Sequence, residues 1–571
     1  MGLSDYVVTD DLTIILGLVA ACLFLLHNLY RPQSLVHPIL LGRQSDVARV
    51  RNPGESAVYR NYGTGMLGRF PVRPTKDQQV LLDLVRPDSD GSRTLWSTRI
   101  TNPELRERVA AFGTGLIQST NLAPQESNVL LLLNDSIEFL IADLALASYS
   151  IPSFVLTSLS VLSPVLDSHP PSVIIADAKL LPNLLEVIYD SNDSTHPTIV
   201  VVGDVDGKQV PHTQQVRLLE WIYIERRGAQ GEKLPFATPN PQDVFTVSFS
   251  STPLGELHGT QFTHENLTAG VAAARNLLPL SNNISPLDTI VSAFPLSTPY
   301  GRAVAYTAVY EGTSFATLES AKLFTGEGTT RLENLADLES ARALPIPSPT
   351  ILFVKPAHLA ALTSAILEHA RKASFLYSLA WRHKFAGVIE GFFTKESLWD
   401  RLVFDSARAQ VLGKGAGTVR AVIVSGGPLE AQSLVPSRIA LSVPLVNTHT
   451  HHAIAGPVFA THPLDLQAFP PSPAGSSASS SASDAYAFTY LAPVGPPAAN
   501  VEAKLLGVDD AAIEDGGDPC GTLYVRGPTV GRPLSAEDGA GDEAERWLET
   551  GERAKVAPNG TFKVVSLIKS K

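Results

Sequence analysis

Stretches of helical spacing alternate with short apolar runs along most of the chain. Residues 105–118 place Val109, Phe112 and Leu116 on one side, the spacing of a helix with a single buried stripe. Residues 129–133 read VLLLL, a run of strand length with no polar position, as expected for a strand buried on both faces. A second apolar-periodic helix is predicted at 136–148 and the next strand at 153–156. Further buried-strand runs lie at 172–175, 198–202, 289–293, 350–354 and 419–425. Strands alternating with helices predict mostly parallel sheets covered on both faces, an α/β architecture. The pattern breaks at 470–485, PPSPAGSSASSSASDA, which lacks apolar anchors and reads as a disordered loop. Short β segments are predicted after it, at 487–490, 501–506 and 522–526.

The start of the chain has a different pattern. Residues 12–26, LTIILGLVAACLFLL, carry no charge, and extension to Tyr30 gives a helix of about 28 Å. Asp5, Asp10 and Asp11 precede it, and Arg31, Arg43, Arg49 and Arg51 follow. That asymmetry predicts a single-pass membrane anchor at 12–30 with the main body facing the cytosol. The organelle is left open among ER, lipid droplet, mitochondrial outer membrane and peroxisome. The terminal Lys-Ser-Lys is not the peroxisomal Ser-Lys-Leu address.

Composition narrows the function classes. With 571 residues, 44% hydrophobic and 18% charged, the chain can bury a large core and is not a wholly disordered protein. Lys+Arg number 44 against 56 Asp+Glu, and the net charge of -12 argues against nucleic acid as a partner. The two cysteines, Cys22 and Cys520, exclude a disulfide framework and a cysteine zinc site. The acidic stretches 509–518 and 537–545 read as solvated loops.

The candidate chemistry begins at residues 245–270, FTVSFSSTPLGELHGTQFTHENLTAG. The stretch opens as an apolar strand, passes through Ser250, Ser251, Thr252, Gly255 and Gly259, and enters a helix at THENL. Hydroxyls and free N–H groups on such a turn can cradle a phosphate chain, and glycines let the backbone approach it. In isolation the same wording suits an ordinary capped turn. Its neighbours, in order, are FPLS at 294–297, WDRLVF at 399–404, VSGGPL at 424–429, VGPP at 494–497, EAKL at 502–505, GTLYVRGP at 521–528 and WLETGE at 547–552. With these in sequence, the chain from about Trp96 onward resembles the adenylate-forming (AMP-binding) superfamily, and its long-chain fatty acyl-CoA synthetase branch in particular.

The resemblance implies a fold and a reaction. Two α/β/α subdomains with mostly parallel sheets would occupy residues 36–488, after an anchor at 1–35. A small distorted β-barrel would occupy 489–571. The acyl tunnel would run beside 294–301 and 423–429. ATP and a long-chain fatty acid would give an acyl-adenylate and pyrophosphate, and CoA would displace AMP to give the acyl-CoA. In such chemistry a lysine, Mg²⁺ and fixed N–H donors stabilise the charge developing on phosphorus. Carried over residue by residue, Ser250, Ser251, Thr252, Gly255 and Gly259 hold phosphate, Gly426, Gly427 and Pro428 wall the adenine, and Glu552 binds ribose. His258 and Thr263 are the candidate catalytic residues. No metal ligand is assigned.

Several positions depart from the family pattern. Thr252 replaces a glycine, Pro253-Leu254 a Thr-Thr pair, and His258 the lysine. Proline removes an N–H donor, and a histidine is mostly neutral at cytosolic pH. LVNTHTHHA at 445–453 stands where Tyr-Gly-x-Thr-Glu is expected, so the magnesium-holding glutamate has no counterpart. His449 and His451 share a strand face, as two metal ligands would, but a third ligand is lacking, and a polar loop beside the nucleotide is the favoured reading. Thr298 stands for a histidine and Glu552 for an aspartate, and the arginine expected after Phe562 is missing. The chain stops where the small mobile lid with its catalytic lysine should begin, so the lid is expected to be absent from this chain, at a loss of about 10²–10³ in adenylation rate. Two readings follow: a membrane-anchored fatty acyl-CoA synthetase-like protein with impaired chemistry, or a catalytically dead relative that binds acyl ligands or a protein partner at a membrane.

Overall fold

The computed structural model describes residues 10–29, 34–63, 74–89, 91–190, 197–204, 216–251, 255–324, 333–466, 488–535 and 546–566. The loop at 470–485, the acidic stretch 537–545, Tyr30 and Thr252 lie outside these residues.

Local signals set the elements. Thr101 caps the helix Asn102–Thr120 by accepting from Glu104 N–H, and the Glu104 carboxylate accepts from Thr101 N–H in return. Asn121 ends that helix in the left-handed region at φ 55°. Ser136 caps Ile137–Ser148, whose residues are almost all buried. The buried runs become strands: Val129–Leu132, Ser153–Leu156, Val173–Asp177, Thr198–Val202, Thr289–Ser292, Ile351–Val354 and Ala421–Val424.

These strands form two eight-stranded sheets. In the first, Val244–Ser251, Ser153–Leu156, Val129–Leu132, Val173–Asp177, Thr198–Val202 and Arg217–Glu220 pair in parallel in that order. Leu257–Thr263 and Arg532–Pro533 extend it antiparallel. In the second, Leu445–His449, Ala421–Val424, Ile351–Val354, Thr289–Ser292 and Ser314–Thr317 are parallel. The helices Asn102–Thr120, Ile137–Ser148, His264–Arg275 and Pro299–Glu311 share one core with the facing sides of both sheets, where Phe112, Phe139 and Tyr306 meet Ile290, Phe353 and Ile423. Val291, Leu352 and Val422 point the other way, onto the outer layer that contains Pro356–Ala373, Asp405–Leu412 and Leu434–Leu441. The outer side of the first sheet is covered by Leu162–Ser168 and Leu181–Asp190. The result is the α/β/α/β/α stack expected from the alternation of strands and helices.

The third sheet departs from the expected domain division. It is antiparallel, with six strands ordered Ser45–Arg49, Val58–Asn61, Glu502–Leu506, Cys520–Arg526, Leu548–Val556 and Phe562–Ser566. Its first two strands come from the far N-terminal side of the chain. It curls until Gln44 N–H donates to Asn559 O at 2.8 Å, which gives it a barrel-like form. The β segment expected at 487–490 is instead a helical turn at 488–490. The 12–30 stretch forms most of the helix Asp11–Leu29, with Leu12, Ile14, Leu16 and Phe24 exposed. Among the described residues no helix is long and apolar enough to cross a membrane, so the expected transmembrane span is not supported. Nineteen residues rise about 28 Å, short of the roughly 30 Å hydrocarbon core.

Candidate functional site

The C-terminal ends of the second sheet's strands, the hairpin tip of the first and the turn of the third converge. The Ser/Thr/Gly stretch is that hairpin: Ser250 pairs with His258 and Ser251 with Leu257. Thr252, Pro253 and Leu254 at its tip lie outside the described residues. Gly255 takes φ +83° with open space around it, while Gly259 packs where a Cβ would strike Leu534.

His258 points from the hairpin toward the chain leaving Leu445–His449. Its ring centroid is 5.0 Å from that of His452, edge to face, and His452 lies 4.1 Å from His451. His451 has a defined tautomer: Nδ1 accepts from Ala453 N–H at 3.2 Å, so Nε2 carries the proton and donates to Thr550 O at 3.3 Å. Burial holds all three imidazoles below their ordinary 6.5, His451 at about 4 and His452 at about 3, with neighbouring rings adding to the effect on His452. His449 Nε2 meets the buried Glu552 carboxylate at 2.8 Å. Thr550 steadies the turn by donating to Leu523 O and accepting from Glu552 N–H.

The second sheet supplies the wall. Ser425 Oγ contacts Thr450 Oγ1 at 3.3 Å, which joins the Ser425–Gly427 turn to the histidine segment. Gly426 has φ +80°, and a Cβ there would stand 2.9 Å from Cε1 of Phe294. Gly427 is less constrained, with Pro356 at 3.6 Å, and Pro428 follows it. Ser250, Gly255, His258, Gly426, Gly427, Pro428 and Glu552 thus lie on segments whose ends converge.

Thr263 does not join them. It lies five residues beyond His258 on a straight strand, about 17 Å away. Its hydroxyl accepts from Asn266 N–H at 3.2 Å as the cap of His264–Arg275. Asn266 in turn donates to Pro528 O and Val530 O. Thr263 is thus placed by the helix cap, away from the converging segments. Thr298 likewise caps a helix, accepting from Gly301 N–H.

Sequence reasoning missed two groups. Lys355 ends the strand Ile351–Val354, its Cγ 3.7 Å from the Cβ position of Gly426, and its ammonium pairs with Glu333 at 2.6 Å. A Lys-Pro directly after an apolar strand was the available signal. Asp135, just beyond Val129–Leu132, accepts from Leu296 N–H at 3.0 Å, and burial pushes its carboxyl up to about 7. Beside the expected acyl tunnel, Ser297, Pro299 and Arg302 line a cavity of only about 10 Å³.

The donor set does not suit Mg²⁺, which takes oxygen ligands in a tight octahedron. The cluster offers imidazoles and one carboxylate already paired with His449. No group of three or more His, Cys, Asp or Glu among the described residues is placed to hold a metal.

Sheets of this order define an adenylate-forming architecture, and the chain belongs to the AMP-binding enzyme family, which it matches over residues 93–533. Within it the chain is similar to long-chain-fatty-acid–CoA ligases. It is 22% identical over 483 residues to ligase 5 of Rattus norvegicus, covering 82% of this chain and 63% of that protein. It is 25% identical over 378 residues to ligase 1 of Homo sapiens, covering 64% and 47%. The chain thus spans about half to two-thirds of the length of these relatives. The fold is shared with an anthranilate CoA ligase solved with anthranoyl-AMP (TM-score 0.58, 15% identity, 86% of this chain and 78% of that one). It is also shared with a long-chain-fatty-acid-CoA ligase from Archaeoglobus fulgidus (TM-score 0.56, 14% identity, 87% and 86%).

Proposed function

We propose that this chain forms an acyl-adenylate from ATP and a long-chain fatty acid and passes the acyl group to CoA, with the phosphate contacts altered. The observation that carries the reading is the buried Glu552 carboxylate, fixed 2.8 Å from His449 and joined through Thr450 to the Ser425–Gly427 turn. A carboxylate accepts from both ribose hydroxyls, and a turn with exposed backbone lies flat against a purine. His258 and His452 stand where the triphosphate would approach the hairpin. Neutral imidazoles donate a hydrogen bond to phosphate but carry no charge, so adenylation is slower than with a lysine. No step is assigned to Mg²⁺. The exposed apolar helix Asp11–Leu29 supports a location against a membrane surface.

The test is pyrophosphate release from purified protein with ATP and oleate, with and without Mg²⁺, followed by thioester formation with CoA. The expected result is slow, oleate-dependent release that falls at least tenfold in His258→Ala. Release that ignores oleate, or is absent while ATP still raises the melting temperature, would replace the reading with that of a nucleotide-binding relative without turnover.

A further inference from the structure

A cavity lies at the opposite end of the second sheet from the nucleotide junction. It has a volume of about 610 Å³ and is lined by Val291, Leu338, Leu344, Ile346, Leu352 and Leu362. Val291 and Leu352 belong to the outer side of that sheet, and Pro349 and Val419 precede the strands Ile351–Val354 and Ala421–Val424. The nucleotide junction instead gathers residues that follow the strands. The cavity is therefore separate from any acyl channel beside Phe294–Gly301, which packs on the inner side.

Three features specify an occupant. First, most of the lining is aliphatic, which suits a hydrocarbon chain. A cavity of about 150 Å³ accepts benzene, so about 610 Å³ takes on the order of twenty carbons. Second, the loop over it reads LPIPSP at 344–349, with proline at every second position. Those prolines have no N–H, so a hydrocarbon against this loop strands few backbone donors. Third, the rim is cationic. The Arg342 guanidinium lies over Gly413, whose Cβ position is 3.4 Å from Cζ, and it is held there by donating to Val411 O. Lys414 is exposed next to it, against the single carboxylate of Glu339, which stands 3.7 Å from Arg342.

We propose that this cavity is a second lipid site, which takes one long-chain fatty acid with its chain among Leu338, Ile346 and Leu362 and its carboxylate between Arg342 and Lys414. The site does not depend on the ligase reading, because it shares no residue with the nucleotide junction. A single saturated or monounsaturated chain fits the volume, and a diacyl lipid exceeds it.

The test uses the full chain and a stearic acid carrying a photoreactive diazirine in its chain, with labelled peptides mapped by mass spectrometry. Labels are expected on residues 335–349 and 405–419. Leu338→Trp, which fills the cavity, should reduce that labelling at least fivefold. Should that variant not fold, Ile346→Trp at the half-buried rim serves in its place. Lys414→Glu should weaken stearate binding about tenfold and leave methyl stearate unchanged. Labelling confined to 294–307 and 423–429, or unchanged in the filled variants, would overturn the proposal. So would equal binding of stearate and its methyl ester, or tighter binding of a lysophosphatidate than of stearate, which would reassign the head group.

Discussion

At the scale of single residues, hydroxyls and carboxylates of similar appearance in the sequence divide sharply by what they touch. Thr263 caps a helix, whereas Glu552 faces the junction, so their alanine variants should separate stability from binding. Thr263→Ala is expected to cost about 1 kcal/mol in urea unfolding and leave the ATP dissociation constant unchanged. On the proposed reading, in which Glu552 accepts from the ribose, Glu552→Ala should weaken ATP at least tenfold in a thermal-shift titration, and His449 loses its partner. A Thr263 variant that lost ATP affinity with full stability would restore the residue to the site. The histidines make a separate prediction. Burial holds His451 at about 4 and His452 at about 3, against 6.5 when unfolded. The unfolded chain takes up protons below pH 6.5 that the folded chain refuses. Their contribution is therefore complete above that pH and lost as the pH falls toward 3, by up to about 1.4 kcal/mol per unit for each ring. The difference between unfolding free energies at pH 7 and pH 5 should shrink in His452→Gln, with His451 supplying the remainder; an unchanged difference would place the titration elsewhere.

Elements decide how those residues reach one another. The helix His264–Arg275 presses Gly270 against the segment that follows the histidines, where a Cβ would lie 1.7 Å from Ala455 O. Gly270→Val is expected to push that segment outward and weaken ATP several-fold while touching no residue of the site; a crystal structure or unchanged ATP titration of the variant decides it. The strand and helix pattern was legible because buried parallel strands leave continuous apolar runs, and the expected 198–202 is the observed Thr198–Val202. Caps were legible too: THEN marks its helix start by local chemistry. At Thr263 that local chemistry left the role open, because a capping threonine and a catalytic one have the same sequence signature. Lys355 and Asp135 escaped because each owes its place to a strand end facing another segment, a contact remote in sequence. The short run 487–490 has strand composition, but residues 488–490 form a helical turn.

At the scale of the whole molecule, the three sheets are interlocked rather than strung in order. Arg532–Pro533 leaves the third sheet's part of the chain to extend the hairpin that carries His258, and Leu534 covers Gly259. Ser45–Arg49 and Val58–Asn61 complete the third sheet from the other end of the chain, and Tyr59 meets Phe562 edge to face at 5.5 Å. Such a sheet could not be foreseen from a division at residue 489, because its pairing spans more than 400 positions and leaves no local period. It also means that the Glu552 turn depends on residues near the N-terminus. Removing residues 1–63 deletes two of its six strands and exposes Ala503 and Phe562, both fully buried. The truncated chain should keep its two parallel sheets by far-ultraviolet circular dichroism, while trypsin cuts within 502–566 at least tenfold faster and ATP no longer protects against heat. Protection equal to that of the full chain would show that the Glu552 turn is held by the two larger sheets alone.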